Sequence, residues 1–177
     1  MNISRALLVL LALLAAVSAA GDSAESVDTT IMSFNIRYGR ADDGQDSWSY
    51  RHDKVCATIA AHEPSIFGVQ ECLPEQAEVV RGCFPGYEFN GVGRDDGQKK
   101  GEMCAIFTDR SRYEVLDRGV FWLSETPGVV GSVGWDAALP RICTWAIVRD
   151  RVSHSRCVIA NTHFDHRGPT ARLESGV

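Results

Sequence analysis

Three apolar segments of the chain each lead directly into a polar side chain that is capable of chemistry. The segments are 31–34, 66–69 and 157–160, and the side chains that follow them are Asn35, Glu71 and His163. Carboxylate and amide oxygens suit a hard divalent cation such as Mg²⁺. A histidine titrates near neutrality, and as imidazolium it can donate a hydrogen bond to a phosphoryl oxygen in the transition state. Together these residue types predict one site that binds a divalent cation and a phosphate ester.

Each of these residues also has an ordinary structural explanation when it is taken alone. A strand-end Glu71 can simply face solvent, and Asn35 can cap its own backbone in a turn. His163 can be a buried histidine whose hydrogen bonds are satisfied. For Asn35 or His163 alone the ordinary explanation is preferred. The prediction of a site therefore depends on the three residues occurring together.

The elements that would position these residues are read from the apolar pattern. A strand at 30–35, a helix at 48–61 that begins after Ser47 or Asp46, a strand at 66–71 and a helix at 75–81 behind Pro74 form an alternating opening. This alternation is typical of a layered α/β domain. Short strands follow, and a helical start is predicted after Gly168. The predicted strands are 87–92, 102–108, 113–116, 119–123, 141–148 and 156–161.

The net charge of the chain limits the kinds of ligand that it is expected to bind. The 177 residues carry a net charge of −5, which argues against a broad basic surface for nucleic acid. A small pocket that takes one phosphate with a metal and one or two arginines remains compatible with this charge. The length predicts a single domain.

The first residues have the pattern of an export signal. One positive residue, an apolar block at 7–17 and small residues at 16–20 predict a signal peptide at 1–20, followed by a flexible leader at 21–29. We therefore expect a secreted or periplasmic protein without stable membrane insertion after cleavage. The alternative is a protein anchored by an uncleaved N-terminal segment.

The six cysteines allow disulfides in an exported protein, but their spacing matches no zinc pattern. Most lie in apolar strands, where a free cysteine behaves as a small hydrophobic residue. Cys143 and Cys157 flank a hairpin-like turn and could face each other.

The ordered set of motifs resembles the endonuclease/exonuclease/phosphatase superfamily, which has the deoxyribonuclease-I-like fold. The resemblance rests on SFNIR at 33–37, VQE at 69–71 and NTH at 161–163, and the intervening segments are similar to an exported branch. It implies a four-layer α/β sandwich of two packed mixed or antiparallel sheets flanked by helices, in an incomplete domain at 30–177. A later Gly-Asp-x-Asn motif and a final Asp-His pair are absent from the chain, so the resemblance implies that the C-terminal part of the sandwich is missing.

The resemblance also implies roles for individual residues. The implied catalytic residues are His163, Asn35 and Glu71; the implied metal ligands are Glu71 and Asn35; and the implied substrate-binding residues are Arg141, Glu102 and Asp165. Mg²⁺ is the expected cofactor, with Mn²⁺ as the alternative. For Arg141 and Glu102 the alternative is a solvated surface, and Asp165 and His166 either orient the site or are polar loop residues.

The sequence thus supports two hypotheses. The first is a metal-dependent phosphoesterase, most simply a monomer, that hydrolyses a phosphodiester or phosphomonoester with an activated water. Its substrate could be a small molecule, a lipid headgroup or a nucleic acid. The second is a catalytically inactive truncated product, or a phosphate- or protein-binding module, because the residues expected to activate the water belong to the absent motifs.

Overall fold

A computed structural model describes residues 28–177. The predicted signal peptide at 1–20 and most of the predicted leader lie outside these residues. The described part contains seven strands and three α-helices: β1 (Ile31–Asn35), α1 (Trp48–His62), β2 (Ile66–Cys72), α2 (Pro74–Cys83), β3 (Tyr87–Asn90), β4 (Met103–Asp109), β5 (Tyr113–Trp122), β6 (Ile142–Asp150), β7 (Arg156–Thr162) and α3 (Pro169–Glu174). A 3-10 turn at Gly44–Asp46 precedes α1. None of the helices in this part of the chain is long and apolar enough to cross a membrane.

The strands form two sheets. The first has the order β1-β2-β4-β3, with β1 parallel to β2 and the other pairs antiparallel. The second has the order β5-β6-β7 and is antiparallel throughout. The predicted α/β class with two packed mixed and antiparallel sheets is therefore confirmed.

Helices α1 and α2 cover the outer face of the first sheet because their apolar positions recur at helical spacing. Val55 and Ile59 of α1 are buried against the face of β2 that carries Phe67 and Val69. The opposite face of the same strand carries Ile66, which packs toward the second sheet. Alternate residues of β2 thus enter two different cores, as the two-residue period of a strand requires.

One prediction about the strands was wrong. The segments 113–116 and 119–123, predicted as two short strands, form the single ten-residue strand β5. A β-bulge at Leu116 shifts the register against β6 and lets the strand continue. Gly119 does not mark a turn: a Cβ there would lie 2.7 Å from the Trp145 ring, so glycine lets the two strands approach.

The disulfide in the structure does not involve Cys143 and Cys157, the two cysteines that could have faced each other. Cys56 of α1 and Cys83 of α2 form a disulfide between the two helices. Cys143 lies opposite Thr162 and Cys157 lies opposite Val148, so these two cysteines do not face each other. The remaining four cysteines are free, and three of them are buried, as expected for small hydrophobic residues in strands.

A buried amide pair joins the two sheets. Asn161 of β7 accepts a hydrogen bond from Gln70 Nε2 at 2.6 Å, and its own amide nitrogen donates to the carbonyls of Val69 and Ala105 at 3.0 and 2.9 Å. Gly68 leaves the room for this contact, since a Cβ there would lie 2.8 Å from the Asn161 side chain. Asn161 therefore fixes β7 against β2 and β4.

We expect Asn161→Ala to lower the free energy of unfolding by roughly 2–4 kcal/mol, because it removes three buried hydrogen bonds and leaves Gln70 Nε2 with only the Ser33 hydroxyl as a partner. Urea denaturation followed by circular dichroism measures this change. Asn90→Ala is the matched control, because Asn90 donates one half-buried hydrogen bond to the Trp145 carbonyl of the other sheet. It should lose only about 1 kcal/mol. Equal losses in the two variants would contradict a special role for Asn161.

Candidate active site

Three strand ends meet at one edge of the two-sheet core. Strand β1 ends at Asn35, which lies beside Gln70 of the parallel strand β2. Strand β7 ends at Thr162, so His163 follows at once. Because Asn161 holds β7 against β2, the residues after β7 are delivered to the edge where Asn35 and Glu71 lie.

A backbone irregularity aims Glu71 at this edge. The register of β2 against β4 shifts between Val69 and Cys72, and Glu71 within that bulge has a φ of 57°. A left-handed conformation costs a non-glycine residue about 1–2 kcal/mol. Bulges and such strain often occur where a side chain is redirected for function. The conformation of Glu71 therefore points to a role beyond strand pairing.

The carboxylate of Glu71 is held in place by two donors. Asn35 Nδ2 donates to Oε1 at 3.0 Å, and the Tyr38 amide donates to Oε2 at 2.8 Å. Burial alone would raise the pKa of Glu71. These two hydrogen bonds and the positive charge of Arg37 outweigh that effect, so the pKa lies below its ordinary value. Glu71 is thus ionised at neutral pH.

Asn35 combines the two roles considered for it. Its Oδ1 accepts the Arg37 amide at 2.9 Å, which is the backbone-capping turn, while its nitrogen faces Glu71. As arranged, Asn35 orients the carboxylate. Direct ligation of a cation by Asn35 would use the oxygen that already accepts the Arg37 amide.

The donor set fits one hard cation held mainly by water and substrate oxygens. Within residues 28–177 no group of three or more His, Cys, Asp or Glu side chains is arranged to hold a metal ion. Mg²⁺ commonly binds proteins through only one or two carboxylates and completes its shell with waters and phosphate oxygens. Each Glu71 oxygen accepts one hydrogen bond and keeps lone-pair capacity, so Glu71 fits this mode.

On the other side of the site a buried arginine organises the segment after β7. Arg141 is only 5% exposed. Its Nη1 donates to His163 Nδ1 at 3.2 Å, its Nη2 donates to His166 Nδ1 at 2.9 Å, and its Nε donates to Asp165 Oδ2 at 3.2 Å. A solvated surface position for Arg141 is therefore excluded. Three of its five N–H groups already donate to side chains of the protein. Arg141 therefore positions the two histidines, and fewer of its donors remain for a substrate.

Asp165, predicted to contact the substrate, is buried behind Arg141. Its side chain is fully inaccessible, and it accepts three backbone amides in addition to Arg141: those of Ala138 at 3.1 Å, Arg167 at 2.8 Å and Gly168 at 2.8 Å. Burial alone would raise its pKa, but these four donors lower it far below the ordinary value. Asp165 therefore anchors Arg141 and has no surface available to a substrate.

His163 differs from the expected imidazolium. Burial and the neighbouring charge of Arg141 lower its pKa, and the more distant Glu71 and Glu102 only partly oppose them. The ring is thus neutral at neutral pH. Because a guanidinium can only donate, Nδ1 must accept from Arg141, which leaves the ring proton on Nε2. His163 can therefore still donate one hydrogen bond.

Glu102 lies at the same edge, but its carboxylate is held by a neighbour. Arg94 donates two hydrogen bonds to this carboxylate, from Nη1 to Oε2 at 2.8 Å and from Nη2 to Oε1 at 3.3 Å. This pair lines a narrow gap together with His163 and Arg141. The structure thus brings Glu102 near His163 and supplies Arg94 as its partner.

Known structures share this arrangement of strands. An endonuclease/exonuclease/phosphatase from Bacteroides vulgatus is 45% identical with a TM-score of 0.82, and the match covers 85% of this chain and 57% of that one. A family member from Bacteroides thetaiotaomicron is 40% identical with a TM-score of 0.82, over 85% of this chain and 56% of that one. A mannosyl-6-phosphatase from the same organism is 41% identical with a TM-score of 0.80, over 84% and 56%.

This chain belongs to the endonuclease/exonuclease/phosphatase superfamily. It spans between half and two thirds of the length of these structures. No protein-family model and no curated protein matches the sequence.

Two residues of this superfamily site have contacts that sequence reasoning missed. Arg94 donates to Glu102, and the Tyr38 amide donates to Glu71. His166, for which the sequence left an orienting role open, contacts Arg141. Tyr38 contacts Glu71 through its backbone amide, and a pattern of side chains in the sequence cannot predict such a contact. Arg94 lies in one of the intervening segments that are similar to the exported branch, and that similarity was the available signal.

The buried carboxylate of Asp165 should make stability depend on pH. A lowered pKa contributes stability that is complete above about pH 5 and declines as the pH falls through 4 and below. Asp165→Asn should lose roughly 2–4 kcal/mol at pH 7, with a smaller loss at pH 3. Urea denaturation at both pH values measures the difference. Asp42→Asn, at an exposed position, is the control and should track the wild type; an Asp165→Asn deficit that is the same at both pH values would contradict the assignment.

Electrostatic coupling across the site can be tested separately from activity. Because the charge of Glu71 raises the pKa of His163, Glu71→Gln should lower it further. NMR titration of the His163 ring in the presence of a chelator measures this pKa. Glu78→Gln, an exposed change on α2, should leave it in place. A His163 titration that does not respond to Glu71→Gln would show that the two side chains do not share one cleft.

Proposed function

We propose that this chain is a divalent-cation-dependent phosphoesterase that hydrolyses small phosphate esters, most simply sugar phosphates. The observation that carries the proposal is the meeting of Glu71 and His163 at one sheet edge, the first ionised and the second a neutral donor. One side of the cleft then suits a cation and the other a phosphoryl oxygen. Superfamily membership and 41% identity to a mannosyl-6-phosphatase support the reaction class and the sugar-phosphate substrate.

In this proposal the residues divide the work of binding and charge stabilisation. Glu71 would hold Mg²⁺, or Mn²⁺ as the alternative, and Asn35 and the Tyr38 amide keep its carboxylate oriented. The bound cation would polarise a phosphoryl oxygen and offset negative charge in the transition state. His163 donates from Nε2 to a second phosphoryl oxygen, and Arg141 and Asp165 keep the ring in that tautomer. Hydrolysis breaks the ester P–O bond; water supplies the new hydroxyl of the released phosphate, and its second proton goes to the released alcohol.

Secretion and a monomeric state belong to the same proposal. The Cys56–Cys83 disulfide is a feature of proteins in oxidising compartments and supports export. The site is assembled within one chain from β1, β2 and β7, which supports function as a monomer.

A second candidate is a module that binds phosphate esters without turning them over. It is favoured by one observation: among residues 28–177 we assign no side chain to activate the attacking water. Losing a general base typically lowers the rate by about 10²–10⁴-fold. Both candidates predict binding of a phosphate ester, but only the enzyme hydrolyses it.

We expect Mg²⁺-dependent release of phosphate from mannose 6-phosphate or p-nitrophenyl phosphate by the purified chain. Glu71→Gln should lower kcat/KM by at least about a hundredfold, since it removes the charge that holds the cation. His163→Ala should cost on the order of 10²–10³ in kcat. A chromogenic assay with and without EDTA measures both effects.

Glu78→Gln is the matched control, because Glu78 is an exposed carboxylate of α2 that pairs with Arg81. Its activity should equal that of the wild type. If a folded wild-type chain binds mannose 6-phosphate but releases no phosphate with Mg²⁺ or Mn²⁺, the binding module replaces the enzyme. If it neither binds nor hydrolyses the ester, both candidates fail.

A further inference from the structure

A second cleft opens beside the candidate active site. It has a volume of about 480 Å³ and lies between the start of α2 and the loop 93–102. The volume is within the range of small-molecule sites in proteins. Leu73, Pro74 and Tyr38 provide part of its wall. The cleft is therefore large enough for a sugar-sized group.

The charges around this cleft are mostly positive, in a chain whose net charge is −5. Arg40, Arg94, Lys99 and Lys100 line it, against two carboxylates, Asp95 and Glu102. Arg94 is paired with Glu102, and Arg40 is paired with Glu75 at 2.8 Å. Among the ion pairs of residues 28–177, none involves Lys99 or Lys100. Two ammonium groups are thus available to a ligand.

The loop that carries these lysines is held in a fixed shape. Asp96 Oδ1 accepts the amides of Gln98 and Lys100 at 2.8 and 2.9 Å, so its charge is used on the backbone and not on the lysine side chains. Trp122 Nε1 donates to the Arg94 carbonyl at 2.7 Å. Gly93 packs directly on Lys100, where a Cβ would lie 2.3 Å from the Lys100 carbonyl oxygen. A loop tied at both ends presents its lysines at low entropic cost.

The cleft shares wall residues with the candidate active site. Tyr38 lines the cleft, and its amide donates to Glu71 Oε2. Glu102 and Arg94 line the cleft and also the gap next to His163. A substrate whose phosphoryl group lies between Glu71 and His163 can therefore extend into the cleft toward the lysines.

We propose that Lys99 and Lys100 bind a second phosphate on the substrate, so that the preferred substrate class is a small sugar bisphosphate. The inference rests on the proposed function, because it places the reacting phosphate at Glu71 and His163. The apolar wall takes the carbon skeleton, and the two ammonium groups bind the distal phosphate as charge-assisted donors. The bounded volume favours a small molecule over a nucleic-acid chain.

The test compares mannose 1,6-bisphosphate with mannose 6-phosphate. We expect the wild type to favour the bisphosphate in kcat/KM, and the double variant Lys99→Gln with Lys100→Gln to reduce that preference about tenfold, mainly through KM. The preference should also shrink as salt is raised, because exposed charges are screened. A preference that is unchanged in the double variant overturns the proposal.

The control is Lys54→Gln combined with Arg156→Gln, which removes the same charge from exposed positions outside the cleft. It should keep the wild-type preference. Calorimetric titration of both sugars into Glu71→Gln reads binding without turnover. If no ester is hydrolysed, the proposed function fails, while lysine-dependent binding of the bisphosphate still supports the cleft. Tighter, lysine-dependent binding of a single-stranded oligonucleotide overturns the small-molecule assignment.

Discussion

The side-chain amide of Asn161 is the contact on which the geometry of this molecule depends. It lies between the two sheets, accepts from Gln70 and donates to two carbonyls beside the bulge in β2. Apolar packing between sheets fixes their distance but tolerates sliding, because dispersion contacts are not directional. Three directed hydrogen bonds do not tolerate it. The amide therefore sets where β7 ends relative to β2, and with it where His163 lies relative to Glu71.

The same region shows how the bulge serves two purposes. In the bulge, two residues of β2, Gln70 and Glu71, lie opposite a single residue of β4. The irregularity sits next to the carbonyls of Val69 and Ala105 that Asn161 binds. It also turns Glu71 into a left-handed conformation. Strain at Glu71 is thus offset by hydrogen bonds in the adjacent core, which is how a functional conformation persists in a marginally stable domain.

The sequence predicted the elements well where local pattern decides them. The alternation of strands and helices before Cys83 follows from apolar spacing and from Pro74. It failed where the outcome depends on a partner strand: β5 continues through its bulge because β6 supplies hydrogen bonds on both sides. The Cys56–Cys83 disulfide was not predicted for the same reason, since the two helices meet only after both pack on the first sheet.

The residue types of the candidate site could be predicted from the sequence, but which of those residues are buried could not. Three polar residues at strand ends indicated a shared edge, and the structure brings them to that edge. No local pattern says that Asp165 lies beneath Arg141 or that Arg141 faces two histidines. Those facts arise from the way the loop after β7 folds over the start of β6. A titratable residue's exposure is a tertiary property, so sequence can propose its chemistry and not its charge state.

The charge states that result are mutually dependent. A positive His163 would face Arg141 directly and Arg94 nearby, in a setting from which water is partly excluded. Keeping His163 neutral avoids that repulsion, and the carboxylate of Asp165 contacts the Arg141 guanidinium from behind. The negative charge of Asp165 is stabilised in turn by three backbone amides. The site thus presents one carboxylate and one neutral donor to solvent, with a compensated ion pair beneath them. This distribution leaves Glu71 as the charge that a cation would meet, and it leaves the distal cations in the loop 93–102 to act on a separate part of a ligand.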